Sequence, residues 1–229
     1  MKQQTLINLL SIISILVLLF ITDTAQAQIE LKVQLEADGV TYSVYTKPIA
    51  PIMPSSSTIT ATAQVTLVVP TGFQFTNFTE VNGNWENQIS RVNSPDENPS
   101  KDYLSVGWTT DDPQIIYQQD QETVLFTIER TSACEGTVAL IENGVDPFDV
   151  PGNSAGIVPG NDLSVFDTGN GFATYYYTGN YAPNAGSCDD SDADGLSDSA
   201  EDANSNGIVD AGETDPNNDD TDGDGSFDG

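Results

Sequence analysis

The chain has 229 residues, and its 35 aspartates and glutamates against 6 lysines and arginines leave a formal charge of −29. A field of that sign repels phosphate backbones and anionic lipid headgroups, which argues against nucleic acid and acidic membrane surfaces as partners. Histidine is absent, which removes the imidazole that catalytic triads and histidine-held zinc depend on.

Met1 to Ala27 reads as a secretory signal: Lys2 supplies the basic start, Leu6 to Ile21 is mostly apolar, and Ala25-Gln26-Ala27 is a small-x-small cleavage site. Cleavage leaves Gln28 as the new N-terminus, and no stable membrane span is expected after it. The alternative is an uncleaved anchor, since the apolar run approaches spanning length.

Residues 28–187 read as β throughout. Ile29, Leu31, Val33 and Leu35 alternate with Glu30, Lys32, Gln34 and Glu36, which predicts a strand with one buried and one wet face. Val40, Tyr42 and Val44 repeat the pattern after Asp38-Gly39, so a hairpin is expected. Ile59, Ala61, Ala63, Val65, Leu67 and Val69 alternate with threonines and a glutamine in a long strand that ends at Pro70. Further strands are expected at 73–79, 103–108, 123–129, 136–141, 163–166 and 172–177. Segments 47–57, 82–101 and 143–161 carry the Pro, Ser, Asn and Gly of loops. The fold class predicted is mainly β, an antiparallel β-sandwich over 28–187. The threonine-rich strand, V-P-T-G-F (69–73) and V-L-F-T-I-E (124–129) resemble cohesin-type sandwiches of bacterial surface proteins.

Cys134 and Cys188 are the two cysteines. In an exported protein such a pair is expected to form a disulfide, pinning the end of the β domain where the acidic tail departs. With no histidine beside it, neither thiol is expected to be catalytic.

Residues 188–229 form the second unit. Residues 189–229 hold 15 of the 35 acids and no lysine or arginine. Asp190, Asp192, Asp194, Gly195, Leu196, Asp198 and Glu201 fall at positions 1, 3, 5, 6, 7, 9 and 12 of a calcium loop. Asp202, Asn204, Asn206, Gly207, Ile208, Asp210 and Glu213 repeat the set. Asp220, Asp222, Asp224, Gly225 and Asp228 begin a third, incomplete set, and the sequence ends inside it, as a fragment of a longer chain would. Calcium wants six to eight oxygens, which such a loop supplies from side chains, the carbonyl at position 7 (here Leu196 and Ile208) and a closing carboxylate. The competing reading is a solvated acidic tail, but an acidic tail has no reason to place glycine at one offset three times.

Glu201 and Asp202 are adjacent, so no helix pair fits between the first two loops, as EF-hands would require. DSDADGLSD, DANSNGIVD and DTDGDGSFD instead resemble thrombospondin type 3 repeats of secreted and surface proteins. That resemblance implies bound calcium and an extended spacer or adhesive role. The expected function is a secreted or cell-surface calcium-binding protein with a surface protein or glycan as partner. The alternative is a carbohydrate-binding or dockerin-like module of a secreted degradative system. For that alternative, Trp85, Trp108, Tyr175, Tyr176, Tyr177 and Tyr181 are the candidate sugar platform, Trp85 foremost, set against ordinary core packing. The paired acids Asp96-Glu97 and Asp111-Asp112, with Glu86, read as solvated loop residues, and no enzymatic activity is expected.

Overall fold

The computed structural model describes residues 27–52, 57–86, 89–132, 136–169, 171–182, 185–204 and 206–228. All of the expected signal except Ala27 lies outside the described residues, as does Cys134. The described residues form β1 (Ala27–Leu35), β2 (Thr41–Pro48), β3 (Thr58–Pro70), β4 (Phe75–Glu80), β5 (Asn84–Trp85), β6 (Ser90–Asn93), β7 (Lys101–Thr110), β8 (Thr123–Arg130), β9 (Thr137–Leu140), β10 (Asp162–Asp167), β11 (Ala173–Asn180) and β12 (Ala185–Ser187). One helical turn, α1 (Asp198–Glu201), follows. The protein is mainly β, as its alternation and turn residues predict.

The strands run in the order β12-β9-β3-β10-β11-β1-β2-β8-β4, with β7 on the second edge of β3 carrying β5 and β6. β1 and β2 form the expected hairpin. Its turn is tied by the Asp38 carboxylate, which accepts bonds from the Val40 and Thr41 amides at 3.0 and 2.8 Å, and Gly39 adopts φ +68°.

The sheet is mixed, not purely antiparallel, because β1 runs parallel to β11, with Gln28 opposite Tyr176. A period-2 pattern reports which face is buried and carries no information on direction. Parallel neighbours need a long crossover, and the chain between β1 and β11 supplies one. The expected loop at 82–101 also contains β5 and β6, both paired to β7.

At the far end of the strand path, β12 returns against β1, which nearly closes the sheet. A Cβ on Gly186 would sit 2.6 Å from Leu35 Cβ and 2.8 Å from Leu35 N, so only glycine permits the approach. Between the strands lies one apolar core that includes Ile29, Leu31, Leu67, Leu104, Phe126 and Val165. Burying each such side chain contributes roughly 1.5–3 kcal/mol. A smaller cluster of Val68, Tyr103, Ile141 and Phe148 lies beside the 143–161 loop. There Tyr103 OH donates to Asp146 at 2.7 Å.

The long strand β3 departs from its expected faces. In its first half Thr58 and Thr60 are buried while Ile59 is exposed; in its second half Val65, Leu67 and Val69 are buried. The register against β10 slips between Ser164 and Val165, where Thr62 and Thr60 are their partners and Ala61 is left over. One extra residue in a strand moves every later side chain to the opposite face.

Candidate metal centre

Loop one (190–201) begins two residues after Cys188, which is buried and disulfide-bonded. Aspartates at alternate positions fold onto their own backbone. Gly195 N–H donates to Asp190 Oδ2 at 3.3 Å, Asp194 N–H to Asp192 Oδ1 at 3.3 Å, and Leu196 N–H to Asp194 Oδ1 at 2.7 Å. These bonds turn the three carboxylates inward, and one oxygen from each of Asp190, Asp192 and Asp194 lies within 4.8 Å of the others. Gly195 takes φ +113°, a conformation a Cβ would obstruct.

Asp198, the residue expected at position 9, bonds across the loop. Its carboxylate accepts from Ser191 N and Ser191 Oγ, both at 2.7 Å, and its own N–H bonds the Asp189 carbonyl at 2.7 Å. It therefore staples the loop shut from behind. Glu201, on α1, is 1% exposed. Its Oε1 accepts from Thr214 Oγ1 at 3.0 Å, while Glu201 Oε2, Asp192 Oδ2 and Asp194 Oδ2 are buried and accept no hydrogen bond.

The electrostatics agree with that geometry. Burial pushes the Asp192 carboxyl above its ordinary range, and the Asp194 and Asp190 charges add to this. Burial also raises Glu201, with Asp192, Asp194 and Asp198 pushing the same way against the Thr214 hydrogen bond. Like charges crowded together and withdrawn from water favour whatever neutralises them, a proton or a cation.

Loop three (220–228) repeats the amide bonds of this scheme. Gly225 N–H donates to Asp220 Oδ2 at 2.8 Å, Asp224 N–H to Asp222 Oδ1 at 3.1 Å, and Ser226 N–H to Asp224 Oδ1 at 2.8 Å. Asp228 accepts from Thr221 N at 2.8 Å, as Asp198 does from Ser191. Asp220, Asp222 and Asp224 also meet within 4.8 Å. This loop is more open to solvent than loop one.

Loop two (202–213) repeats these backbone bonds, with Asn206 N–H donating to Asn204 Oδ1 at 3.1 Å, and adds others through its asparagines. Gly207 N–H donates to Asp202 Oδ2 at 2.7 Å and Ile208 N–H to Asn206 Oδ1 at 2.7 Å. The Asn204 and Asn206 amide groups then both donate to Asp210 Oδ2, at 3.0 and 2.9 Å. Glu213 turns back to accept from Asp210 N at 3.0 Å. Three expected ligands of this loop are thus bonded to one another, because an amide brings its own donor to the carboxylate.

Sequence reasoning assigned ligands by position within each loop and missed the bonds between loops. Thr214, just past loop two, reaches Glu201 of loop one; Thr221 of loop three accepts from Asp215 N at 2.8 Å. A cleft of about 540 Å³ between the loops is lined by Asp198, Asp202, Ile208, Thr214 and Asp215. The only sequence signal for these links is a hydroxyl residue beside each acidic set.

The aromatic candidates fall elsewhere. Trp85 is 2% exposed, packs its ring 5.1 Å from that of Phe126 and donates Nε1–H to the Asn82 carbonyl at 2.9 Å. It is a core residue, and Tyr175 is buried as well. Tyr176 is exposed on the outer face of β11, near Phe166 and Ile59 on β10 and β3. Among the described residues no helix is long and apolar enough to cross a membrane. Compared with known proteins, the chain matches no family model, no curated protein and no solved structure.

Proposed function

We propose that this chain is a secreted or cell-surface calcium-binding protein with an adhesive or structural role, its β domain carried on a calcium-stiffened tail. One observation carries the reading: in the Asp190–Asp192–Asp194 triplet, whose carboxylates each bring an oxygen within 4.8 Å of the others, Asp192 Oδ2 and Asp194 Oδ2 are buried without a donor. Withdrawing carboxylates from water without donors is costly, and a divalent cation relieves both that cost and their mutual repulsion. All the donors are oxygens, the preference of a hard cation such as calcium. Asp190, Asp192, Asp194 and Glu201 are the ligands of the first site, and Asp220, Asp222 and Asp224 those of a second, in loop three.

We read the tail as a thrombospondin type 3-like array, supported by the shared bonding scheme of loops one and three. We read the β domain as a sandwich, supported by the return of β12 against β1 over the larger of its two apolar clusters. Export draws on the Lys2 start, the apolar run from Leu6 to Ile21 and the Ala25-Gln26-Ala27 site of the sequence. Isothermal calorimetry of the chain with calcium tests the function. Heat from saturable binding, reduced by the loop-one share in Asp194→Ala, is the expected result; no heat at millimolar calcium would falsify the reading.

A second reading, glycan binding, draws on the exposed Tyr176, Phe166 and Ile59, because an aromatic ring stacks on the apolar face of a sugar. Retention on immobilised polysaccharides that Tyr176→Ala abolishes would support it, and no retention on any of them removes it.

A further inference from the structure

We propose that the outer face of β3, β10 and β11, ending at Phe172 on the tip of the β10–β11 hairpin, binds a neutral polysaccharide. The inference rests on the glycan reading above and deepens it by naming the class of sugar and a further residue that meets it.

The strand register lays the face out. Phe166 stands opposite Ile59 of β3 on one side and Thr174 of β11 on the other. Two residues earlier, Ser164 stands opposite Thr62 and Tyr176, and Tyr176 stands opposite Gln28 of β1. Ile59, Phe166 and Tyr176 are 51%, 43% and 45% exposed, while their chain neighbours Val165 and Tyr175 are buried. Phe166 and Tyr176 are diagonal neighbours on adjacent strands, about 7–8 Å apart. Two rings side by side on an open sheet face suit a chain of sugars, each unit offering an apolar ring face to stack on.

Phe172 is an independent sign of use. It is 74% exposed and holds φ +65°, a left-handed conformation that disfavours a bulky side chain. Glycine or asparagine would relieve the strain, and a polar residue would not leave an aromatic ring in water. A residue that costs the fold on both counts has its use outside the fold. Phe172 follows the hairpin one step beyond the Phe166–Thr174 and Asp167–Ala173 pairs, at the end of the face that carries the other rings.

The polar groups on the face select the sugar. Thr62 Oγ1 donates to Asp162 Oδ2 at 2.7 Å. With its one proton given away, it accepts from Ser164 Oγ, also at 2.7 Å. The protons of this row are spent inside it, so what it offers a ligand is lone pairs, which suit the hydroxyl donors of a neutral sugar. Asp162, in a chain of formal charge −29, repels uronates and sulfated sugars. The same charge opposes the pairing of this face with a second copy.

The test is affinity electrophoresis of the full chain through gels containing xylan, mixed-linkage β-glucan or galactomannan, with polygalacturonate and alginate as acidic counterparts. Retardation in at least one neutral gel and in neither acidic gel is expected. Phe166→Ala and Tyr176→Ala each weaken it about tenfold, and Phe172→Ala weakens it as well. Val145→Ala, which removes an exposed apolar side chain of the 143–161 loop, leaves it unchanged; circular dichroism checks that every variant folds. Equal retardation by the acidic polymers overturns the proposal while the glycan reading stands. So does retardation that Phe166→Ala and Phe172→Ala leave intact. No retardation in any gel overturns both. A dimer in sedimentation that Phe166→Ala dissolves gives the face to a second copy and overturns the proposal.

Discussion

The β domain and the tail bury opposite kinds of residue. In the domain, the interior is built from side chains such as Leu31, Leu104 and Phe126. In the tail, the buried residues are Asp194, Ser197 and Glu201, while Ile208, Val209 and Phe227 stand exposed. Apolar burial, which drives the folding of the domain, supplies almost nothing to residues 190–228. What holds them is the bonding of carboxylates to backbone amides, which concentrates negative charge in each loop. The domain is thus expected to fold from its own sequence, and the tail to gain its stability from a bound ion.

The largest expected effect sharpens this contrast from the domain side. Trp85→Ala removes a ring packed on Phe126 and costs about 3–5 kcal/mol of domain stability. Thermal unfolding measures the loss, while the calcium affinity of loop one stays unchanged; a matching fall in affinity would make the two regions one cooperative unit. Gly186→Ala acts at the joint. Its Cβ collides with Leu35, so the domain loses about 1–3 kcal/mol, read from the denaturant midpoint.

From the tail side, Asp190→Ala lowers calcium binding about tenfold or more, with the thermal midpoint of the domain unmoved. Asp202→Ala has the smaller effect, because loop two carries two asparagines whose amides already satisfy Asp210. Calorimetry of the two variants checks the order, and a greater loss from Asp202→Ala reverses it.

The smallest effect is one of pH. Burial, first of all, raises the phenols of Tyr42, Tyr103, Tyr117, Tyr177 and Tyr181 above their ordinary value, and burial with the Glu36 hydrogen bond pushes Tyr45 up to about 12. A phenol whose pKa is higher folded than unfolded stabilises the fold fully below about pH 10 and loses that contribution as pH rises through the folded value. The domain therefore loosens at alkaline pH. The tail, which has no tyrosine between 190 and 228, is unaffected by these groups. Phenolate absorbance followed with circular dichroism tests this; ionisation of every tyrosine near pH 10 without unfolding would contradict it.

Much of this was legible in the sequence, for reasons that differ between the regions. The strands β1, β2, β7 and β8 announce themselves by alternation, and Asp38-Gly39 announces the hairpin. The calcium-loop spacing places Asp190, Asp192 and Asp194 together because their bonds run to amides two to five residues away. What escaped depends on distant partners. Lys32 was expected on the wet face of β1 but is 5% exposed, held at 2.8 Å by both oxygens of Glu122 and lying 4.4 Å from the centre of the Tyr45 ring. The face change in β3 comes from a single unpaired residue opposite β10, which leaves the composition of the strand untouched. The Thr214–Glu201 bond joins two loops that each look complete alone.

The most direct test of the central claim is amide hydrogen exchange of the full chain with calcium and with EDTA, read separately over the β domain and the tail. The account predicts that calcium protects the amides of Gly195, Leu196, Gly225 and Ser226, that EDTA reverses this, and that amides of β1, β3 and β7 exchange at the same rate in both conditions. Protection in the tail that is indifferent to calcium would contradict it, since the carboxylate loops would then be holding themselves without a cation.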